Sequence, residues 1–296
     1  MHLMLALDES RYGETIVKWI KAFPHPTGAR LTLVHVVEPL DIPEALLPGD
    51  RHALERNRQA EVRRLLERAA AHLQDSYAKL DVRVQEGLPI YEVLRLVHEE
   101  RPDIIVAGTR GLQGGKGFVL GSLSQRLLHY APCSVLLIPA HAKPRGSMRV
   151  CLATDGSAGA QEAARVLTVL PGLQQITVMT VVRPVEARDM ALYAASRQQP
   201  ARAIKAELSK ARQAAGQRAI ENTIGVLQAS GAKLKTLIAT GHAAEVIGGM
   251  AQREKADLLV LGSRGLTGKT AITMGSVSLA AAQQTPCPIL IVKPGA

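Results

Sequence analysis

Two copies of one glycine–serine pattern carry the clearest chemistry in this chain. Gly108-Thr109-Arg110-Gly111 is followed after nine residues by Gly121-Ser122, and Gly262-Ser263-Arg264-Gly265 after nine residues by Gly275-Ser276. Each copy follows a short apolar run, Asp103 to Ala107 or Asp257 to Leu261, and precedes a helical pattern. A strand, a glycine-rich turn and a helix start form an anion cradle. Backbone amides point into the turn, and the helix N-terminus adds partial positive charge. Glycine also lets a phosphate approach the backbone closely. Arg110, Lys116, Arg264 and Lys269 stand in or beside the cradles as cations for phosphate. Ser122 has Gln125 three residues on, a capping-box spacing that predicts Ser122 as a helix N-cap. Ser276 has Leu279 there and forms no such box.

Asp8 and Asp155 each close the first apolar run of a half. In an open parallel sheet, ligands lie beyond the carboxyl ends of the strands. A carboxylate repels a polyphosphate, so an Asp there suits the adenine or ribose end of a nucleotide. The same residue type equally closes an Asx turn. Other chemistries lack their residues. No Walker-type phosphate loop is found, no G-x-G-x-x-G follows the first strand, and no G-x-S-x-G elbow occurs. The nine His residues show no metal-binding spacing, and His35 in an apolar run reads as a satisfied core histidine. No general base is paired with a nucleophile, so the expectation is a protein that is not an enzyme.

These residues need elements to hold them. Leu3 to Leu7 and Leu31 to Val37 read as buried strands around a helix over 13–23. Apolar residues every three or four positions predict a long helix over 51–79 with arginines on its solvated face. A short strand at 82–84, a helix from about Ile90 to Pro102, the first cradle strand, a helix from Ser122 to Tyr130 and a strand at 135–138 follow. Strands alternating with helices imply parallel pairing with right-handed crossovers.

The pattern then restarts. Asp155 lies 147 positions after Asp8, and Ile176 lies 145 after Leu31. Gly241, Asp257, Gly262, Gly275, Pro286 and Cys287 each lie 154 after Gly87, Asp103, Gly108, Gly121, Pro132 and Cys133. The change of offset places about nine extra residues between 184 and 215, and the whole reads as a tandem duplication. The expected domains are 1–141 and 147–296, joined by a linker at 142–146.

Composition bounds the rest. The chain has 296 residues, 47% hydrophobic and 3% aromatic, with a net charge of +10. The scarcity of aromatics leaves Val, Leu, Ile and Ala to build the cores, as covered parallel sheets require. The positive balance favours anionic small ligands. Nucleic-acid binding is the weaker reading, because basic tails and aromatic–basic interleaving are missing. Three cysteines without a C-x-x-C pair suggest no disulfide framework or zinc cluster, and no run is long enough for a membrane span. The default expectation is a cytoplasmic protein.

The pattern Gly-x-x-Gly, nine residues, Gly-Ser, with the Asp8-Glu9-Ser10 and Asp155-Gly156-Ser157 turns, resembles the ATP-binding signature of the universal stress protein family. The endings Ala131-Pro132-Cys133 and Thr285-Pro286-Cys287-Pro288 are similar to it too. The likeness implies an α/β fold of two tandem Rossmann-like (adenine nucleotide alpha hydrolase-like) domains, each a five-stranded parallel sheet of order 3-2-1-4-5. It implies ATP, or AMP or ADP, at each motif, with magnesium as an accompanying ion. Asp8 and Asp155 would meet adenine or ribose, and Val36 and Val181 would pack beside the base. Ala107 and Leu261 would line the site. Gly108, Gly111, Gly121, Ser122 and Ser124 would take ribose and phosphates, as would Gly262, Gly265, Gly275, Ser276 and Ser278. Glu9 replaces the usual glycine and brings negative charge to the first site, and Gly114, Gly115 and Gly117 loosen the first loop. The resemblance also implies pairing of the last strands, here as a pseudo-dimer of the two halves, with a homodimer and unidentified protein partners as further associations. The expected role is a nucleotide-dependent regulator of the stress response. An ATP-hydrolysing enzyme of the same fold is the alternative, although the S-G-G-x-D-S loop of such enzymes is absent.

Overall fold

Near-continuous apolar runs place most of the strands in the interior, and the computed structural model shows how they are ordered. It describes residues 1–10, 12–39, 51–109, 120–194, 200–266 and 274–294. The first half runs β1 (His2–Ala6), α1 (Gly13–Ala22), β2 (Arg30–Val37), α2 (Arg51–Leu73), β3 (Lys79–Glu86), α3 (Pro89–Glu100), β4 (Ile104–Gly108), α4 (Ser122–Tyr130) and β5 (Ser134–Ile138). The second half runs β6 (Met148–Ala153), α5 (Ala158–Thr168), β7 (Leu173–Val182), α6 (Ala187–Ala194), α7 (Ala201–Leu227), β8 (Lys233–Thr240), α8 (Ala243–Arg253), β9 (Leu258–Gly262), α9 (Ser276–Gln284) and β10 (Ile289–Val292).

The ten strands form one sheet in the order β3-β2-β1-β4-β5-β10-β9-β6-β7-β8. Each half therefore has the expected order, and all pairs within a half are parallel. The halves meet where β5 and β10 run antiparallel, with Leu136 opposite Leu290. The expected pairing of the two last strands is what joins them. One hydrophobic cluster covers each face of the sheet, and both clusters continue from one half into the other. Leu136, Ile138, Leu290 and Val292 enter one, and Val135, Leu137, Ile289 and Ile291 the other. Alternation along two short strands thus feeds both cores at the seam.

Two element boundaries differ from expectation. The helix expected over 51–79 stops at Leu73, and a 3-10 turn over Gln74–Ser76 leads into β3. Tyr77 is in an extended conformation, stacks on His25 at 4.3 Å between ring centroids and donates its hydroxyl to the Ile20 carbonyl at 3.2 Å. That anchor ends the helix early and frees Lys79–Glu86 to pair with the whole of β2, so the short strand expected at 82–84 is longer. The nine extra residues fall where α6 and the first turns of α7 stand.

The repeated Asp103 and Asp257 act at the end of the sheet opposite the glycines. Asp103 accepts a bond from the His2 amide at 2.6 Å, and Asp257 one from the Arg149 amide at 2.9 Å. Each ties the start of its cradle strand to the neighbouring first strand. Among the described residues no helix is long and apolar enough to cross a membrane.

Candidate functional site

The second cradle begins where β6 ends. Thr154 bonds Thr223 of α7 at 2.8 Å and accepts a bond from the Gly156 amide at 3.1 Å. Gly156 has φ +79°, and a Cβ there would lie 3.2 Å from Ala219, so the turn needs glycine twice over. Asp155 Oδ1 accepts a bond from the Ser157 amide at 2.9 Å, an Asx turn. Ser157 caps α5 by accepting a bond from the Ala160 amide.

Asp155 also reaches the glycine motif. Its Oδ2 accepts a bond from the Leu266 amide at 3.0 Å, and a Cβ on Gly265 would lie 2.4 Å from that oxygen. Gly262 faces α5, where a Cβ would lie 2.4 Å from the Gly159 carbonyl carbon. The two glycines of Gly-x-x-Gly thus admit, respectively, a helix backbone and a carboxylate. The Gly275 amide bonds the Ser263 carbonyl at 2.8 Å and closes the excursion, and α9 starts at Ser276 with Gly275 as its N-cap. The Ser263 amide bonds the Val292 carbonyl at 2.7 Å and fixes the cradle to β10. An aspartate, a glycine turn and a helix N-terminus converge at the carboxyl ends of β6 and β9.

The first half repeats this frame. Asp8 Oδ1 accepts a bond from the Ser10 amide at 3.2 Å. The Thr109 amide bonds the Ile138 carbonyl at 3.0 Å, and the Gly121 amide the Thr109 carbonyl at 2.7 Å. Gly111, Arg110, Lys116 and the glycines 114, 115 and 117 lie outside the described residues, as does Lys269 in the second half. α1 begins five residues after Asp8, whereas α5 begins three after Asp155.

Several side chains do something other than expected. Ser122 is the first helical residue, not the N-cap: Gly121 occupies that position, and no side chain caps the helix. The capping-box spacing fails because the cap carries no hydroxyl. Ser124 donates to the Gly108 carbonyl, and Ser278 to the Gly262 carbonyl at 2.7 Å. Both serines are buried and pin the helix to the end of its cradle strand. Ala107 and Leu261 are buried in the core, so a ligand at that point would meet their backbone. Val36 is buried and Val181 half-buried, both on the face covered by α3, α4, α8 and α9.

Two arginines beside the ends of β2 and β7 carry no sequence motif. Arg58 Nη1 donates to the Glu38 carbonyl at 2.7 Å, and its Nε lies 3.9 Å from Glu9 Oε1. Arg212 Nη1 donates to the Arg183 carbonyl at 3.2 Å. Their separation of 154 positions was the available signal, since it matches the offset of the glycines. His35 Nδ1 donates to the Leu7 carbonyl at 2.8 Å, and its Nε2 lies 3.7 Å from Glu9. Burial holds the His35 imidazole pKa below its usual value. His35 is the satisfied core histidine expected, with one edge turned to Glu9. Among the described residues no cluster of His, Cys, Asp or Glu could hold a metal ion.

Comparison with known proteins follows the repeat. A model of the universal stress protein family matches residues 1–139 and again 147–293. A universal stress protein of Thermus aquaticus, encoded beside a QAH/OAS sulfhydrylase, is 35% identical over 137 residues, covering 46% of this chain and 96% of that protein. Another, from Methanothermobacter thermautotrophicus, is 41% identical over 59 residues, 19% of this chain and 37% of that protein. The crystal structure of a universal stress protein from Archaeoglobus fulgidus superposes with a TM-score of 0.67 at 19% identity, covering 99% of this chain and 98% of that one.

Proposed function

The chain belongs to the universal stress protein family, as two tandem copies, and from that premise we propose that each half binds an adenine nucleotide, ATP in the first instance, and that the protein acts as a nucleotide-dependent regulator in the stress response. The convergence at Asp155 is the observation that carries this reading. One carboxylate joins the turn after β6 to the glycine turn after β9, and Ser263 of that turn accepts a bond from Gly275, the N-cap of α9. Phosphates would take the amides of the glycine turn and helix start, and the ribose or base would take the aspartate. Magnesium would enter with the phosphates. Ser124 and Ser278 would contribute indirectly, by holding the helix that offers its amides.

The function is binding rather than turnover, a reading supported by the absence of a paired base and nucleophile from the sequence. The protein would work inside the cell, where adenine nucleotides are abundant.

Chromatography of nucleotide released from heat-denatured protein, with its stoichiometry, is the first test. Isothermal titration of ATP against wild type and an Asp8→Ala, Asp155→Ala double variant is the second. These aspartates are better targets than Gly262, since any side chain there would strike the α5 backbone. We expect adenine nucleotide in the released fraction and weaker binding by the variant. A wild type that neither carries nor binds nucleotide would overturn the proposal.

A further inference from the structure

We infer that Arg58 and Arg212 are positioning residues for the base end of the two sites, an inference that rests on reading those sites as adenine-nucleotide sites. Arg58 stands on α2 and Arg212 on α7. Each reaches the chain where it leaves the second strand of its half. Arg58 holds the Glu38 carbonyl at 2.7 Å, and Arg212 holds the Arg183 carbonyl at 3.2 Å and the Pro184 carbonyl at 2.5 Å. Glu38 and Arg183 are the first residues beyond β2 and β7, two positions past Val36 and Val181. A strand end has no further ladder partners, so without a donor these carbonyls would be free to turn. In each arginine Nη1 holds the carbonyl while another nitrogen of the rigid guanidinium faces a carboxylate. The backbone beside the expected base position is therefore set by a residue far away in sequence.

Each arginine also faces a carboxylate, which differs between halves. In the first half it is Glu9, which also faces His35. In the second it is Asp189 of the inserted α6, at 2.9 Å. Glu9 directly follows Asp8, so one arginine braces both turns that would hold adenosine. The charge of Glu9 is thus faced by that of Arg58. In the second half Gly156 takes the place of Glu9, and α6 supplies the missing carboxylate.

Titration of ATP, GTP and inorganic tripolyphosphate against wild type and the variants Arg58→Ala, Arg58→Lys, Arg212→Ala and Arg212→Lys tests this. Removing one charged hydrogen bond should weaken ATP by about tenfold at the site affected. Tripolyphosphate, which has no base, should keep its wild-type affinity, and the ratio of ATP to GTP affinity should fall. The lysine variants keep the charge without the fork and should behave like alanine, and they carry the test should an alanine variant fail to fold. An unchanged ATP-to-GTP ratio in folded variants overturns the inference alone. A wild type that binds none of the three overturns the site reading and the inference with it.

Discussion

A serine hydroxyl near a phosphate cradle can serve the ligand or the fold, and those of Ser124 and Ser278 donate to the fold's own backbone. Each is buried and donates to the carbonyl that ends its cradle strand. Replacing Ser278 by Ala leaves the Gly262 carbonyl without that donor, at a cost of about 1–3 kcal/mol. Urea unfolding of Ser278→Ala should show this loss, and an unchanged midpoint would refute it. The family resemblance marked these serines, but a resemblance does not say which way a hydroxyl points. The same holds for Ser122, where the cap fell one residue earlier, on Gly121. The Asx turns at Asp8 and Asp155 were legible as one of two readings. The bond from Leu266 to Asp155 was not, because it joins residues 111 positions apart.

At the scale of elements, buried strands read most clearly, since near-continuous apolar runs leave little choice of conformation. Boundaries read less well. Local periodicity carried α2 on toward Lys79, while Tyr77 found partners on residues 20 and 25 and ended it. The seam strands make a test of their own. Leu136 has no exposed surface and stands opposite Leu290. Leu136→Ala removes a side chain from a core shared by both halves, and equilibrium unfolding should show a loss of about 2–5 kcal/mol. A loss below 1 kcal/mol would mean that the seam is not packed as described.

The whole molecule is a pseudo-dimer in one chain, and its halves grip each other beyond the strand pairing. His141 of the first half bonds the Pro286 carbonyl at 2.8 Å, and Lys293 of the second bonds the Ala131 carbonyl at 2.5 Å. Burial pushes the Lys293 ammonium down from 10.5 to about 8, with Arg264 adding to the shift and Cys133 opposing it. Burial also raises the Cys133 thiol to about 11. Below about pH 8 Lys293 is charged in both folded and unfolded chains, and the burial penalty is fully present. Between about 8 and 10.5 the unfolded chain binds the proton and the folded chain does not, so stability rises with pH across that window. Lys293→Met removes this titration. In thermal melts at pH 7 and pH 10, the melting temperature of wild type minus that of the variant should be larger at pH 10. No change between the two would show that Lys293 is not desolvated at the seam.

The sequence by itself determined the tandem repeat, the parallel pairing within each half and the place of the cradles, while the strand order came from the family resemblance. The repeat and the cradles follow from apolar runs, glycines and offsets that shift once, from about 145 to 154, which are local and additive signals. The pairing of β5 with β10 could be argued from sequence because two apolar edges need cover. Only the tertiary structure decided what the motif residues touch. Gly262 faces the α5 backbone and Gly265 a carboxylate, because β9 and β6 bring residues over a hundred positions apart into contact. Arg58 and Arg212 became visible for the same reason: hydrogen bonds depend on distance in space, which spacing along the chain does not encode.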